Sequence, residues 1–273
     1  MDFFVQGSWH HYIIVDRPHF EMFRHLQDAR RTILLTDDVL PGRMRLIMNL
    51  RLFGGRSVWW SRHTGLSLGW HFQQMVKLGM ALQVNEDGLA YCDSDMFFLR
   101  RLHTSELSQG SKLRLYRTPQ RRDLATIENP KYVKTGANML NLPVQGSYYS
   151  YIDNLVTWHR PTVVALLDHL GGAQDGRWLR SFRQRISVSE YLLYGFFVDE
   201  ILKDHDHHFA TSVSLCKTQW HRGRRTEESV AAFCSNLGDA VAVGVQSFAG
   251  VDLKLLERQF EIAAARRQAA AVS

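Results

Sequence analysis

The stretch Gly88-Leu-Ala-Tyr-Cys-Asp-Ser-Asp-Met-Phe-Phe-Leu99 places two carboxylates, Asp93 and Asp95, directly after a short apolar run. Residues 89–92 are too few for a helix and follow the turn-forming pair Asp87-Gly88. They therefore predict a strand buried on both faces, as in parallel sheets. Ligands of open α/β sheets bind outside the carboxyl ends of strands. Two aspartates at such an end predict a site for Mg²⁺ or Mn²⁺, which prefer oxygen ligands.

The spacing alone is weak evidence, because a second Asp-x-Asp occurs at Asp204 and Asp206. That second pair lies in the polar run Lys-Asp-His-Asp-His-His, with no apolar strand before it. The context therefore favours Asp93 and Asp95 as the functional pair. The alternative is that these two residues cap the following segment or solvate a loop.

The composition is that of an ordinary globular protein of one large or two small domains, with 273 residues, 45% hydrophobic and 22% charged. The net charge of +6 lies in scattered basic pairs. This favours a phosphorylated small molecule or an anionic membrane surface as partner, and no nucleic acid. Three cysteines without metal-site spacing predict reduced thiols in the cytoplasm. The sequence has no apolar run of membrane-spanning length and no signal-peptide pattern at its start.

Strand and helix patterns alternate along the chain, which predicts an α/β fold. The predicted strands are 10–16, 32–36, 89–92, 112–116, 137–142, 209–215 and 240–246. The predicted helices are 17–26, 43–51, 70–83, 148–158, 162–170, 187–202, 226–236 and 251–267. Residues 58–60 fit either a strand or a packed loop. The last helix carries an apolar stripe, which predicts packing on the domain, with contact to anionic lipid as the alternative.

Several polar residues stand near predicted strand ends. Asp37 and Asp38 follow the second strand, where they could contact a ribose or base or cap the next element. Lys77 lies on the polar side of the helix 70–83, which is either solvated or lines the cleft beside the 89–92 strand. Gly136 precedes the strand 137–142 and either allows close approach of a ligand or makes a turn.

Glu190 lies in the first turn of the predicted buried helix 187–202. The helix dipole there favours an ionised carboxylate, which a general base near neutral pH requires. The alternative is a capping box with Ser187, in which Glu190 bonds back to the Ser187 backbone. The histidines near the late strand end are candidate metal ligands or ordinary satisfied histidines: His205, His207, His208 and His221.

These motifs together resemble the GT-A-fold glycosyltransferases, in particular a bacterial group of that superfamily. Trp70-His-Phe-Gln-Gln-Met-Val-Lys-Leu78 followed by Leu89-Ala-Tyr-Cys-Asp-Ser-Asp95 is similar to a helix-then-strand core in which Asp-x-Asp closes a central strand. Thr135-Gly-Ala-Asn-Met-Leu-Asn-Leu142 resembles the glycine-bearing strand beside the donor sugar. Ser189-Glu190-Tyr is placed like the acidic helix start of inverting members. The likeness covers about residues 15–247.

The resemblance implies a single domain over 1–273, with a GT-A-like (Rossmann-like) mixed, mostly parallel sheet flanked by helices and a C-terminal helix and tail from 251. It implies a metal-dependent, inverting transfer of sugar from a nucleotide-sugar donor to a saccharide or lipid-linked acceptor, as in polysaccharide biosynthesis. The expected place is the cytoplasm or the inner face of the membrane, with possible peripheral contact to anionic lipid.

For single residues, the resemblance implies that Asp93 and Asp95 hold Mn²⁺ or Mg²⁺ against the donor diphosphate. It implies that Lys77 contacts phosphate or sugar, and that Glu190 deprotonates the acceptor hydroxyl. Asp37 or Asp38 would meet the nucleoside, and Gly136 would lie beside the donor sugar. The late histidine ligand of many members corresponds to the region that offers Lys217 and His221.

The chain departs from the family pattern at its start. Residues 1–7 resemble the end of the family's first helix, so the strand and loop that cradle the nucleotide are expected to be absent. Either the true start lies upstream, or the protein has lost part of its donor site and is an inactive binding protein. A separate alternative is a nucleotidyl- or phosphotransferase that uses the same acid pair.

Overall fold

The computed structural model describes residues 2–40, 45–49, 57–127, 129–144, 146–183, 185, 187–203, 205–219, 226–245 and 253–270, and over these the chain has a mixed α/β fold. The strands are β1 (Val5–Gln6), β2 (His11–Val15), β3 (Arg31–Leu35), β4 (Arg45–Asn49), β5 (Ser57–Ser61), β6 (Gly65–Leu68), β7 (Gly88–Tyr91), β8 (Met96–Phe98), β9 (Leu102–His103), β10 (Ser108–Gln109), β11 (Lys112–Tyr116), β12 (Arg122–Asp123), β13 (Ser147–Tyr148), β14 (Val156–His159), β15 (His208–Thr211), β16 (Cys216–Gln219) and β17 (Ala242–Val245). The α-helices are α1 (Phe20–Arg24), α2 (Thr36–Val39), α3 (Gly69–Gly79), α4 (Pro130–Met139), α5 (Arg160–His169), α6 (Glu190–Phe196), α7 (Glu227–Ser235) and α8 (Leu253–Ala270).

The described strands form seven small sheets, in which four strand pairs are parallel and six are antiparallel. The parallel pairs are β2–β3, β11–β15, β16–β17 and β1–β9. The prediction of one mostly parallel sheet is therefore wrong for the described strands. The mixed α/β class itself is confirmed.

The strongest sequence patterns gave correct elements. The βαβ unit is present, because β2 and β3 pair in parallel with α1 between them. The predicted helices at 70–83, 162–170, 187–202 and 226–236 correspond to α3, α5, α6 and α7, with the α6 helix continuing as a π-helix from Phe197 to Leu202. A proline in the first turn marks the start of α5, and apolar stripes or runs mark α3 and α6.

Four predicted elements are wrong. Residues 137–142 are not a strand, since most of them lie in or just after α4, and β14 replaces the end of the helix predicted at 148–158. The helix predicted at 43–51 contains β4, and the start of the chain contains β1 where a helix end was expected. The expectation at the start of the chain came from the resemblance and the other three came from short local runs, whereas pairing with a distant strand or packing of a helical face decided the structure.

The strand β7 also differs from its prediction, because it is not buried on both faces. It pairs antiparallel with β14, and its residues alternate, with Leu89 and Tyr91 partly buried and Gly88 and Ala90 exposed. An antiparallel pair with one solvated face has this alternation. The aspartates nevertheless follow the carboxyl end of the strand.

The main core packs α3, α5 and α6 together with buried aromatic residues such as Trp178 and Phe196. A second cluster joins α8 to the sheet through Leu256 and Phe260, which pack with Leu99 and Val243. The predicted packing of the last helix on the domain is thus confirmed. Among the described helices, none is both long and apolar enough to cross a membrane.

Candidate functional site

The side chain of Lys77 lies at the centre of a buried polar cluster. Its Nζ atom is 2.8 Å from Asp93 Oδ1 and 3.3 Å from Glu190 Oε1, and it donates a hydrogen bond of 2.7 Å to the hydroxyl of Tyr191. Lys77 is only 8% exposed and Glu190 only 3%. Asp93 and the adjacent pair Glu190 and Tyr191, from two distant parts of the sequence, therefore share one ammonium group in the buried interior.

Helix α3 places Lys77 there because the helix is buried nearly all round. Both Gln74 and Lys77, which lie three residues apart on one face, are buried. The hydroxyl of Tyr91, at the end of β7, donates to the Lys77 carbonyl at 2.8 Å. The interpretation of this face as solvated is wrong for Gln74 and Lys77, which are both buried, and Lys77 contacts Asp93 just after β7.

The Asp93–Asp95 loop is held at two points. Asp93 Oδ1 accepts hydrogen bonds from Lys77 and, at 3.3 Å, from Nε2 of Gln73. The Asp95 carbonyl accepts from the backbone N–H of Val245 at 3.2 Å, which fixes the loop to β17. The loop is thereby attached to α3 on one side and to the sheet on the other.

The start of α6 presents Glu190 to Lys77. Ser189 is the N-cap, and its hydroxyl accepts from the backbone N–H of Leu192 at 3.5 Å. The capping box with Ser187 is therefore wrong, because the helix begins two residues later. Nε2 of the buried Gln74 donates to the Val188 carbonyl at 2.8 Å, which ties α3 to the chain just before the helix.

The electrostatics of this Lys77–Asp93–Glu190 cluster are unbalanced, with one ammonium facing two carboxylates. Burial raises the pKa of Glu190 above its ordinary value, and the charge of Asp93 adds to that effect while Lys77 opposes it. Burial would lower the pKa of Lys77, but Glu190, Tyr191 and Asp93 together raise it well above its ordinary value. Lys77 therefore stays charged, while Glu190 holds its proton more readily than a solvated glutamate.

Not all predicted site residues join the cluster. Asp37 lies in the first turn of α2 and pairs with Arg17 at 3.1 Å, and Asp38 is exposed beside it. Gly136 lies inside α4, where a Cβ atom would contact the Phe196 ring at 3.4 Å. Its predicted place at the mouth of a strand is wrong, since Val133, Gly136, Ala137 and Leu140 form a helical face against α6.

The histidines also lie apart from the cluster's contacts. His208 begins β15 and its Nε2 lies 2.7 Å from the Tyr194 hydroxyl, whereas the His207 ring stacks on His159 with centroids 4.6 Å apart. His221 is outside the described residues. Within the described ranges, no group of three or more His, Cys, Asp or Glu residues has the arrangement of a metal site.

Sequence reasoning missed three members of the site, namely Tyr191, Tyr91 and the anchoring role of Gln74. Tyr191 directly follows Glu190, but its apolar ring gave no reason to expect a hydrogen bond to Lys77. Gln74 could have been found, since two polar residues at i and i+3 on an otherwise buried helix indicate a shared buried partner.

Comparisons with known proteins give one family. No curated protein matches the sequence. A family model described as a family of unknown function, DUF6492, matches residues 1–262, which is most of the chain. The chain therefore belongs to the DUF6492 family.

Proposed function

We propose that this chain is a metal-dependent glycosyltransferase of GT-A type, which transfers a sugar from a nucleotide-sugar donor to a hydroxyl of a saccharide or lipid-linked acceptor. The observation that carries the proposal is the contact of the buried Lys77 with both Asp93 and Glu190. It joins the Asp-x-Asp loop and the acidic helix start, the two motifs on which the resemblance rests.

Glu190 has the properties of a general base. Burial raises its pKa above that of a solvated glutamate, which makes the carboxylate a stronger base towards a hydroxyl proton. Of the three contacts of the Lys77 ammonium, the one to Glu190 is the longest, at 3.3 Å. An acceptor hydroxyl displaces Lys77 from Glu190, and Glu190 then takes the hydroxyl proton as the oxygen attacks the anomeric carbon.

Asp93 and Asp95 fit a divalent cation by the chemistry of their oxygen atoms. Mg²⁺ is commonly held by one or two carboxylates together with waters and substrate phosphates, so a third protein ligand is not required. Asp93 Oδ1 is used by Lys77 and Gln73, but Oδ2 accepts no hydrogen bond from the described residues. A bound Mg²⁺ or Mn²⁺ would stabilise the negative charge of the departing nucleoside diphosphate.

A second candidate is a nucleotide-binding protein without transfer activity. An ammonium has three hydrogens, and Lys77 directs its contacts to three partners, which is also the pattern of a structural ion cluster. Glu190 is only 3% exposed, so catalysis requires Lys77 to move aside for the acceptor. A purely structural role needs no such movement. The two candidates differ in whether bound nucleotide sugar turns over.

The first experiment is binding. The melting temperature is measured with Mn²⁺ alone, with nucleoside diphosphates alone, and with both, because a ligand that binds only the native state raises it. We expect a rise only when both are present, and its loss in Asp95→Ala. Asp87→Ala is the matched control, since Asp87 precedes the same strand and its side chain is 80% exposed. A nucleotide effect that does not need the metal, or is equal in both variants, contradicts the proposal.

The second experiment is turnover. Glu190→Gln should keep the metal-dependent nucleotide binding and lose sugar transfer, since the amide cannot accept the proton. Release of a nucleoside diphosphate supports a glycosyltransferase, whereas release of pyrophosphate supports a nucleotidyltransferase. Binding without turnover for every nucleotide sugar and acceptor tested would favour the binding protein.

A further inference from the structure

A cavity of about 460 Å³ lies beside β11 and β15, and no member of the Lys77–Asp93–Glu190 cluster lines it. Its wall combines a buried arginine, Arg114, with hydroxyl-bearing residues that include Ser108, Thr211 and Ser214. Phe209, Val213 and Leu215 add apolar surface, so the wall of the cavity is mixed, and the cavity is separate from the proposed transferase site.

Arg114 is the unusual member of this wall. It lies in the middle of β11 and is only 5% exposed, yet within the described residues its guanidinium makes no hydrogen bond and no ion pair. Burial lowers the pKa of Arg114 below its ordinary value, with partial compensation from the charge of Asp153. Arg114 lines the cavity, so N–H donors of its guanidinium are available to a ligand there.

The nearby carboxylate does not serve as the partner. Asp153 Oδ1 accepts from the Ser214 hydroxyl at 3.0 Å and from the backbone N–H of Asn154 at 2.9 Å. Burial raises the pKa of Asp153 to about 6, because these two hydrogen bonds and the charge of Arg114 only partly offset the loss of water. A carboxylate in contact with Arg114 would instead keep a low pKa.

The other charges of the cavity leave Arg114 as the cation that faces it. Arg100 is engaged by both carboxylate oxygens of Glu106, at 3.2 and 2.9 Å. Asp239 is exposed and adds a negative charge at the rim, which disfavours ligands with several negative charges. The balance fits one anionic group held by Arg114, with polar atoms of the ligand against the hydroxyls.

We propose that this cavity binds a small polar molecule through one oxyanion, a phosphate or a carboxylate, that Arg114 holds with the paired N–H groups of its guanidinium. A buried charged group without a partner is costly, and the fork of an arginine matches the two oxygens of such an anion. The space left beside the anion accommodates a hydroxylated body of hexose size.

The test compares three probes, namely inorganic phosphate, a hexose 6-phosphate and glucuronate, with the uncharged hexose as reference, by calorimetric titration. We expect at least one anion to bind and the uncharged hexose not to bind. Arg114→Gln should weaken that binding by at least about tenfold, while Arg24→Gln, an equal charge change on an exposed helix, should not. Tighter binding of the phosphate probes or of glucuronate shows whether the natural ligand carries a phosphate or a carboxylate.

Two further measurements make the outcome decisive. If Arg114 instead forms a structural pair with Asp153 in solution, Arg114→Gln lowers the melting temperature markedly and no probe binds, which overturns the proposal. If no probe binds at a concentration of about 10 mM, the proposal is also overturned. That limit corresponds to a binding free energy of about 3 kcal/mol. Phosphate binding that is lost in Asp95→Ala would place the anion at the transferase site, and would overturn the second site.

Discussion

Lys77 on α3 and Glu190 on α6 meet in the buried interior, with Nζ 3.3 Å from Oε1. The same ammonium lies closer, at 2.8 Å, to Asp93, so two carboxylates depend on one cation. Removing the ammonium leaves two carboxylates without a counter-charge, whereas removing one carboxylate leaves a one-to-one pair. Stability measurements can therefore test this arrangement without knowledge of the substrate.

Lys77→Met should be strongly destabilising at pH 7. It leaves Asp93 and the buried Glu190 facing each other without a counter-charge, and loss of one partner of a buried ion pair costs about 3–5 kcal/mol. The free energy of unfolding from urea titration measures this. Lys134→Met on the exposed side of α4 is the control, with a change within about 0.5 kcal/mol. Similar losses in the two variants would contradict a buried ionic cluster.

Glu190→Gln should change the pH dependence of stability. Burial raises the folded-state pKa of Glu190, so its contribution to stability is full below the unfolded-state pKa of 4.5 and is lost as pH rises through the folded-state value. The variant lacks this loss and should gain stability relative to the native protein on going from pH 4 to pH 7. The exposed Glu21→Gln should track the native curve. A variant that is less stable at pH 7 than at pH 4, relative to the native protein, would mean that Lys77 dominates.

Asp153 should produce a second pH-dependent loss of stability. Its pKa is raised from 3.8 to about 6, so its ionisation destabilises the fold as pH rises through that interval, by about 3 kcal/mol at most. Asp153→Asn should flatten the unfolding free energy between about pH 4 and pH 6. Asp123→Asn, on the exposed β12, serves as reference. An unchanged pH profile in Asp153→Asn would show that this carboxylate is solvated.

Gln74→Met should destabilise the contact between α3 and the start of α6. The methionine fills a similar volume but leaves the Val188 carbonyl without its donor, which costs about 1–3 kcal/mol for a buried group. Gln73→Met is the neighbouring control, because Gln73 is exposed and its hydrogen bond to Asp93 is 3.3 Å long. Denaturant unfolding compares the two. If the exposed position proves more sensitive, the anchoring role of Gln74 is wrong.

Two helical glycines should respond differently to alanine. A Cβ atom at Gly195 would overlap the Tyr151 ring, whereas one at Gly136 would only contact Phe196 at 3.4 Å. Gly195→Ala should therefore be destabilising, and Gly136→Ala should be neutral or stabilising by up to about 1 kcal/mol from helix propensity. Thermal unfolding checks both. A loss of donor binding in a stable Gly136→Ala would instead support the role that the resemblance gives to Gly136.

The sequence predicted the α/β class and part of the cluster. The Asp93–Asp95 pair and Glu190 at the start of a buried helix came from local patterns, and the structure brings Asp93 and Glu190 into contact with Lys77, whereas Asp37, Asp38 and Gly136 lie elsewhere. The strand at 137–142 failed because its residues fit a strand pattern locally, whereas Val133, Ala137 and Leu140 are buried together as one face of a helix. The helix at 148–158 failed because Val156–His159 gains its hydrogen bonds from β7, far away in sequence.

By itself the sequence determined what depends on neighbouring residues: the helix start at Pro161, the apolar faces of α3 and α8, and the aspartates after β7. Only the tertiary structure decided which charges meet and which faces are buried. Whether Lys77 is solvated or buried depends on α6 covering α3, and whether Arg114 has a partner depends on how Ser214 and Asp153 pack behind β11. These are long-range contacts, whose energies the local pattern of a chain does not contain.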